Sequence, residues 1–298
     1  MMSLELFSQY IFAGITYGII YAIVAIGFNI IYNTTGIINF AQGEFVMLGG
    51  MAAISLNQFL PLPLAIVAAV LFTMLVGALI EIVFIRWLES PSVLRMIIIT
   101  IGLSIIIREI ALHVWGDTVR ALPYFTGNVI SSVTILGAAI SPQVLWVLAV
   151  CSCIVVLLSL FFKFTPLGKE MQACASNRLA ATLCGINAKN MVTFSFMLSA
   201  AIGAVAGCVV SPITSSQYDM GTGLAIKGFT VAVLGGLGNS MAAVAAGLLL
   251  GILEAFSVGV GFPLAFQDAI SISILLIILF VRPHGLFGNK QAASLKEF

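Results

Sequence analysis

Apolar stretches long enough to cross a lipid bilayer follow one another along almost the entire chain. A membrane-spanning helix needs about 20 predominantly apolar residues, and most of these stretches approach or reach that length. Only short polar interruptions separate them, which predicts one all-α, polytopic transmembrane helical bundle of about 8–10 membrane segments over residues 1–298. The candidate segments are 7–32, 39–56, 62–85, 94–114, 144–162, 191–210, 224–237, 241–260 and 264–281.

The composition excludes several classes of protein. Only 8% of the residues are charged, against about 25% in a typical soluble domain, so the surface of this chain suits lipid. The formal net charge is +1 and no basic tract occurs, which leaves nothing to neutralise a nucleic-acid backbone. No phosphate-binding loop, zinc-protease motif or nucleophile elbow occurs either. We therefore expect no catalytic residue, metal site, cofactor or nucleic-acid partner for this chain.

The basic residues predict the orientation in the membrane. Nine of the 12 lysines and arginines fall in three short polar regions. An excess of basic residues marks the cytoplasmic side of a membrane protein, and with nine crossings the three regions lie on one side. We therefore expect the N-terminus outside, with the polar segment 163–190 and the C-terminus in the cytoplasm. The nine residues are Arg86, Arg95, Lys163, Lys169, Arg178, Lys189, Arg282, Lys290 and Lys296.

The second and seventh stretches are short, rich in glycine and interrupted by polar residues. Both contain Leu-Gly-Gly, at Leu48–Gly50 and Leu234–Gly236, which suggests an internal repeat with an offset of about 186 residues. Each follows one long stretch, and a single extra span between the halves would invert the second half. The pattern predicts two weakly similar inverted halves, about 7–114 and 191–282, with interrupted central helices. Glycine-rich helix packing is the alternative explanation.

Polar residues inside these two stretches mark a candidate translocation path. A carboxylate near the centre of a bilayer costs about 3 kcal/mol, so Glu44 should face a cavity or a partner. It lies about 160° around a helix from Gln42, so the two side chains face different surroundings. Glu44 can equally be a structural carboxylate at a helix start, and Lys227 can either contact substrate or anchor at the outer interface. The candidate path comprises Asn39, Phe40, Gln42, Gly43, Glu44, Gly49, Lys227, Thr230, Gly235 and Gly236.

Residues 163–190 form the one sizeable polar segment, which we predict to contain a single short capped helix. Thr165 suits the N-cap, Pro166 the first helical position and Gly185 the left-handed C-terminal position. Such a helix can lie at the lipid interface or dock in a groove of a partner protein. An apolar stripe at helical spacing runs through Met171, Ala175, Leu179 and Leu183.

Four motifs carry a resemblance to a known family. They are Gly36–Glu44 (Gly-Ile-Ile-Asn-Phe-Ala-Gln-Gly-Glu), the segment Gly168–Asn187, Lys227–Gly238 (Lys-Gly-Phe-Thr-Val-Ala-Val-Leu-Gly-Gly-Leu-Gly) and Arg282–Gly288 (Arg-Pro-His-Gly-Leu-Phe-Gly). Together they resemble, over nearly the full length, the Liv-type permeases of branched-chain amino-acid ABC importers, within the vitamin-B12- and ribose-permease-like superfamily. Family members often carry His where this chain has Gln42, which leaves the substrate open.

The resemblance implies a permease subunit in the bacterial inner membrane that is not itself an enzyme. Its partners would be a second homologous permease, two ABC ATPases that hold ATP-Mg, and an external substrate-binding protein. The substrates would be branched-chain or other apolar amino acids, moved by alternating access, and urea or short amides are the alternative substrates. Two other classes stay open: a stand-alone secondary transporter, and a passive channel or non-transporting membrane scaffold. The residues implied to couple to the ATPases are Gly168, Lys169, Glu170, Ala175, Arg178, Ala180 and Gly185.

Overall fold

The computed structural model describes residues 4–87, 93–128, 130–135, 138–263, 266–282 and 285–286. Within these ranges the chain forms eleven α-helices, a π-helical turn and a small β-hairpin. The helices are α1 (Leu4–Thr35), α2 (Gln42–Leu56), α3 (Leu62–Ile80), α4 (Val93–Trp115), α5 (Pro142–Phe164), α6 (Pro166–Ser176), α7 (Arg178–Leu183), α8 (Ala188–Thr214), α9 (Met220–Gly235), α10 (Ser240–Gly259) and α11 (Gln267–Val281). The π-helical turn Glu81–Ile85 extends α3, and strands β1 (Val133–Ile135) and β2 (Ala138–Ile140) pair antiparallel between α4 and α5.

All nine predicted membrane segments lie on helices, namely α1 to α5 and α8 to α11. Helices α1, α3 with its π-helical turn, α4, α5, α8 and α10 are long and apolar enough to cross a membrane. Helices α2, α9 and α11 are shorter, with 15, 16 and 15 residues. The predicted all-α, polytopic helical bundle is therefore confirmed. Part of the family motif Arg282–Gly288 and two of the basic residues used to predict orientation lie outside the described ranges. These residues are Pro283, His284, Phe287, Gly288, Lys290 and Lys296.

Contacts between helix termini distinguish the two ends of the bundle. At one end Thr35 of α1, Ile85 after α3 and Arg178 of α7 line a common cavity. We call this the coupling end, because α6 and α7 lie there between the end of α5 and the start of α8. At the opposite, far end, Trp115 Nε1 of α4 donates to Ser55 Oγ of α2 over 2.7 Å. The basic loops that the structure describes therefore collect at the coupling end.

Long helices from each half of the chain pack against helices of the other half. Helix α1 packs along α10 and α9, α8 packs along α3 and α2, and α2 contacts α9 between them. Helices α2 and α9 begin at Gln42 and Met220, and α3 and α10 begin at Leu62 and Ser240, so both pairs are 178 residues apart. The Leu-Gly-Gly motifs, about 186 residues apart, lie at different positions on α2 and α9. A three-residue glycine motif can recur without marking equivalent positions of two helices.

The short central helices are continuous, and the interruptions precede them. Residues 36–41 and 215–219 are non-helical and connect each long helix to the short helix that follows. In the second connection Ser215 has a φ of 61°, a left-handed conformation that is uncommon for a residue with a side chain. Where α2 and α9 cross, Gly43 and Gly221 are in backbone contact, and a Cβ on Gly221 would lie 2.8 Å from Gly43 O.

Glycines also bring α1 and α10 into backbone contact. Gly14 and Gly18 of α1 face Gly247 and Gly251 of α10, and a Cβ on Gly14 would lie 2.7 Å from the backbone of α10. In lipid, helices associate through close van der Waals packing rather than the hydrophobic effect, so small residues at four-residue spacing are favoured at such contacts. The contact helps to hold α1 in the middle of the bundle, where residues 18–31 are buried.

The polar segment 163–190, called the coupling segment below, forms two short helices instead of the single helix predicted. The Thr165 side chain caps α6 by accepting from the backbone N–H three residues on, over 3.0 Å. After α6, Asn177 is extended, and its side chain caps α7 by accepting from Ala180 N over 2.9 Å. Gly185 has the predicted left-handed conformation, with a φ of 88°. The break occurs at Asn177 because its side chain satisfies a backbone donor of a new helix start.

Candidate functional site

Most residues of the predicted path lie at the crossing of α2 and α9, in the centre of the bundle. Helix α2 is buried on every side from Gln42 to Ala53. On α9, Thr230 is fully buried, and its hydroxyl donates to Ile226 O of the same helix over 2.9 Å. At the crossing itself the backbones of Gly43 and Gly221 are in contact.

Gln42 joins α2 to two long helices. Its Oε1 accepts from Ser199 Oγ of α8 over 2.6 Å, and its Nε2 donates to Ser199 O over 3.3 Å. Gly27 of α1 provides the space for the amide, because a Cβ there would collide with it. A buried amide that is paired at both its oxygen and its nitrogen avoids the cost of an unsatisfied polar group. Gln42 therefore anchors the start of α2 between α1 and α8.

Glu44 points away from Gln42, as its position on the helix predicted. It is 1% exposed, and its Oε1 accepts from Ser104 Oγ of α4 over 3.0 Å. Arg108 of α4 attracts the carboxylate electrostatically and donates to Thr222 Oγ1 of α9 over 3.2 Å. The carboxylate lies beside the N-terminus of α9, where the helix dipole favours negative charge. Ser104, Arg108 and Thr222 were missed from the sequence, although Arg108, a basic residue inside an apolar spanning helix, was a signal for such a site.

An aromatic cluster and a close helix contact complete the crossing. The Phe40 ring centroid lies 6.5 Å from that of Phe28 and 5.4 Å from that of Phe229. Asn39 Oδ1 accepts from the backbone N–H two residues on, over 3.1 Å, which turns the chain into α2. Gly49 packs against the backbone of α8. Gly235 and Gly236 lie apart from this cluster, at the coupling end of α9, where Gly236 has a φ of 99° and ends the helix.

Lys227 lies at the centre of an ionic cluster that is buried at Glu254 and exposed at Asp268. Its Nζ lies 3.4 Å from Glu254 Oε2 of α10, 3.1 Å from Asp268 Oδ1 of α11 and 3.2 Å from Tyr21 Oη of α1. Glu254 also accepts from Tyr21 Oη over 2.8 Å and from Ser271 Oγ. The Lys227 side chain is only 13% exposed, whereas the Asp268 side chain that it pairs with is 74% exposed. Glu254 and Asp268 therefore share one basic partner, which the sequence did not indicate.

A cavity of about 290 Å³ adjoins this ionic cluster. It lies between α1 and α9, beside the connection from α8 to α9. Tyr21, Gln217 and Lys227 provide polar groups, and Ile20 and Leu224 provide apolar surface. The volume is close to the lower end of the range of about 300–1,000 Å³ for small-molecule sites, which combine apolar walls with a few polar groups.

The seven residues of the predicted coupling surface differ in exposure. Gly168 is buried, and a Cβ there would lie 2.8 Å from the Phe162 Cα of α5. Its role is therefore to hold α6 against α5. Glu170 and Ala175 are half-buried. The exposed members are Lys169, Arg178, Ala180 and Gly185.

The apolar residues predicted to form one stripe on the coupling segment point in two different directions. Met171 of α6 is 1% exposed and packs against the bundle, whereas Leu179 and Leu183 of α7 are 75% and 82% exposed. The prediction of one continuous stripe is therefore wrong. Because the chain changes direction at Asn177, residues that would share a face of one long helix point apart.

Comparison with known proteins identifies the family. A family model described as "Branched-chain amino acid transport system / permease component" matches residues 10–279. The high-affinity branched-chain amino acid transport system permease protein BraD of Pseudomonas aeruginosa is 33% identical over 304 residues, covering 96% of this chain and 97% of BraD. The corresponding permease protein LivH of Salmonella typhimurium is 31% identical over 305 residues, covering 97% of this chain and 98% of LivH.

A more distant relative is the ribose import permease protein RbsC of Haemophilus influenzae. It is 23% identical over 245 residues, which cover 78% of this chain and 72% of RbsC. Together with the apolar helices, the matches identify a multi-pass membrane protein that is a transport subunit and not an enzyme. The chain belongs to the family of permease components of branched-chain amino acid transport systems.

Proposed function

We propose that this chain is the membrane-spanning permease subunit of an ATP-binding cassette importer that moves branched-chain or other apolar amino acids by alternating access. The observation that carries the proposal is the exposed surface of α7, where Leu179 and Leu183 lie 75% and 82% exposed near Arg178 at the coupling end. Exposed apolar residues on a short helix outside the bundle are suited to a groove on a partner protein. The similarity to transport permeases over nearly the whole chain supports the same function.

The assembly we propose contains two ABC ATPases that hold ATP-Mg, a second homologous permease and an external binding protein. The ATPases contact the exposed residues of α6 and α7, above all Arg178, while Gly168 keeps α6 against α5. The coupling end faces the cytoplasm of a bacterial inner membrane and the N-terminus lies outside. The basic loops at the coupling end support this orientation.

The path runs through the crossing of α2 and α9, between two inverted half-repeats at 7–114 and 191–282. Movement of α7 reaches the crossing through α8, which follows α7 directly and bonds to Gln42 through Ser199. ATP binding on the partners would shift α8 and separate α2 from α9. The two half-repeats would separate at the backbone contact between Gly43 and Gly221, which would open the path.

An apolar amino acid suits the cavity beside Lys227. Ile20 and Leu224 can contact an apolar side chain, and the Gln217 amide can hydrogen-bond the polar end of the substrate. Lys227 and Tyr21 line the same cavity but are bonded to Glu254, so they would bind a substrate carboxylate only in exchange for that contact. Urea or a short amide, which would need amide-binding groups, is the alternative substrate. A stand-alone secondary transporter is the alternative mechanism, because such proteins also contain buried ionic clusters.

Vesicle uptake tests this proposal. The chain is reconstituted with its ATPases, paired permease and binding protein, and ATP-dependent uptake of labelled leucine and labelled urea is measured side by side. We expect leucine uptake that requires ATP. Arg178→Glu should lower it by roughly tenfold or more, because reversing a charge at the centre of a contact removes at least the energy of one strong contact residue.

Lys163→Glu is the matched control, because it reverses a charge at the same end but on α5, before the coupling helices. It should transport nearly as well as the unchanged protein, and membrane insertion of every variant is checked by its yield in membranes. Uptake by this chain alone, driven by an ion gradient without ATP, would favour the secondary transporter. Preference for urea over leucine would correct the substrate and leave the ATP-driven mechanism in place.

A further inference from the structure

A second, larger cavity lies at the coupling end, far from the ionic cluster of Lys227. Its volume is about 420 Å³, and it lies among the ends of α1 and α3 and the starts of α4, α7 and α8. Three basic residues line it, Arg86, Arg178 and Lys189, against the single acidic residue Glu81. The lining therefore carries an excess of positive charge at the place where spanning helices leave the apolar core.

The protein itself neutralises only part of this charge. Arg86 donates to the side chains of Asn190 and Thr193 over 3.3 Å each, and its Nε lies 3.9 Å from Glu81 Oε2. Glu81 is also held by Thr193 Oγ1, which donates to it over 2.6 Å. Arg178 and Lys189, by contrast, have no side-chain hydrogen bond or ion pair with any residue that the structure describes. These two side chains are exposed and can turn toward an anion.

Apart from Thr35, the rest of the cavity lining is largely apolar. Ile85, Met96 and Val192 contribute to its lining, and Trp87 at its edge is 76% exposed. Exposed tryptophans typically lie at the headgroup level of a membrane, where one side of the ring meets lipid and the other meets water. A ligand that complements both the basic and the apolar residues of this lining has a negatively charged headgroup and an apolar tail.

We propose that this cavity binds the phosphate headgroup of an anionic phospholipid of the same membrane. Basic pockets between spanning helices on the cytoplasmic side are suited to anionic headgroups, because the phosphate pairs with Arg or Lys while the acyl chains stay in the bilayer. An acidic segment of an ATPase is the competing occupant. The lipid is favoured because spanning helices form much of the cavity wall and its apolar lining can contact acyl chains, whereas the exposed leucines of α7 do not line it.

Lipid binding to the purified full-length chain in detergent tests the proposal, with native mass spectrometry as readout. Phosphatidylglycerol, phosphatidylcholine and inorganic phosphate are titrated separately. We expect the protein to retain phosphatidylglycerol at least several-fold more strongly than phosphatidylcholine. Lys189→Gln should weaken that preference roughly fivefold, which corresponds to about one surface charge near an anionic lipid. The double variant with Arg86→Gln should weaken it further.

Lys163→Gln is the matched control, because it removes one basic residue at the coupling end outside the cavity lining, and it should leave the preference unchanged. Arg86→Gln also disturbs contacts to α8, so the melting temperature is measured for each variant and Lys189→Gln alone decides the test. Equal retention of both lipids, or an equal loss in Lys163→Gln, overturns the proposal. Binding of inorganic phosphate as strong as that of the lipid assigns a small-anion site instead. Loss of ATPase capture in Lys189→Gln without any lipid preference assigns a protein contact.

Discussion

Lys227→Met is expected to destabilise the folded protein by about 3–5 kcal/mol, the largest effect of any single change considered for this chain. The variant leaves Glu254 with its hydrogen bonds from Tyr21 and Ser271 but without a positive charge within 4 Å among the described residues. Glu254 is 2% exposed, so water cannot replace the lost counterion. Thermal unfolding of the detergent-solubilised protein measures the effect, as a lower melting temperature and a lower monodisperse yield.

The companion variants separate charge from packing. Lys227→Met combined with Glu254→Gln should recover most of the lost stability, because the double variant buries no unpaired charge. Asp268→Asn should have little effect, at most about 1 kcal/mol, because the Asp268 side chain is 74% exposed and water screens its pair with Lys227. If the double variant is no more stable than Lys227→Met alone, the lysine contributes through its packing and not through its charge.

Gly251→Ala is expected to destabilise the protein by about 3 kcal/mol, through overpacking of α10 against α1. A Cβ on Gly251 would collide with the backbone of Gly14 and Gly18. Because the colliding atoms belong to the backbone, no side-chain rotation relieves the contact, and the two helices must move apart along their length. The expected result is a clearly lower melting temperature in the same detergent.

Gly102→Ala on α4 is the matched control for this prediction. A Cβ on Gly102 would meet nothing within 4 Å, so the substitution adds only helix propensity and should stabilise the protein slightly, by up to about 1 kcal/mol. Similar melting temperatures for the two alanine variants would contradict the close packing of α1 and α10. A decrease in both would instead indicate a general effect of added methyl groups on the solubilised protein.

Local patterns in the sequence were sufficient for much of the fold. The apolar stretches predicted all nine long or central helices, because the length and hydropathy of a spanning segment are properties of consecutive residues. The N-cap at Thr165 and the left-handed Gly185 were also predicted, since each depends on neighbours within one turn. The opposite directions of Gln42 and Glu44 follow from helical geometry alone. Residue motifs were likewise enough to indicate the transport family.

Contacts between distant parts of the chain were decided by the tertiary structure. The structure places the starts of α2 and α9 178 residues apart, a spacing that the repeated Leu-Gly-Gly motif did not indicate. Lys227 pairs with carboxylates on two later helices, and hydropathy along the chain carries no information about which helices become neighbours. Asn177 is a residue type that favours helix starts, so the break between α6 and α7 had a signal in the local sequence. The direction that α7 takes after the break had no such signal. Apolar pattern identifies which segments enter the membrane, whereas close packing and pairing of buried charges determine how those segments are arranged.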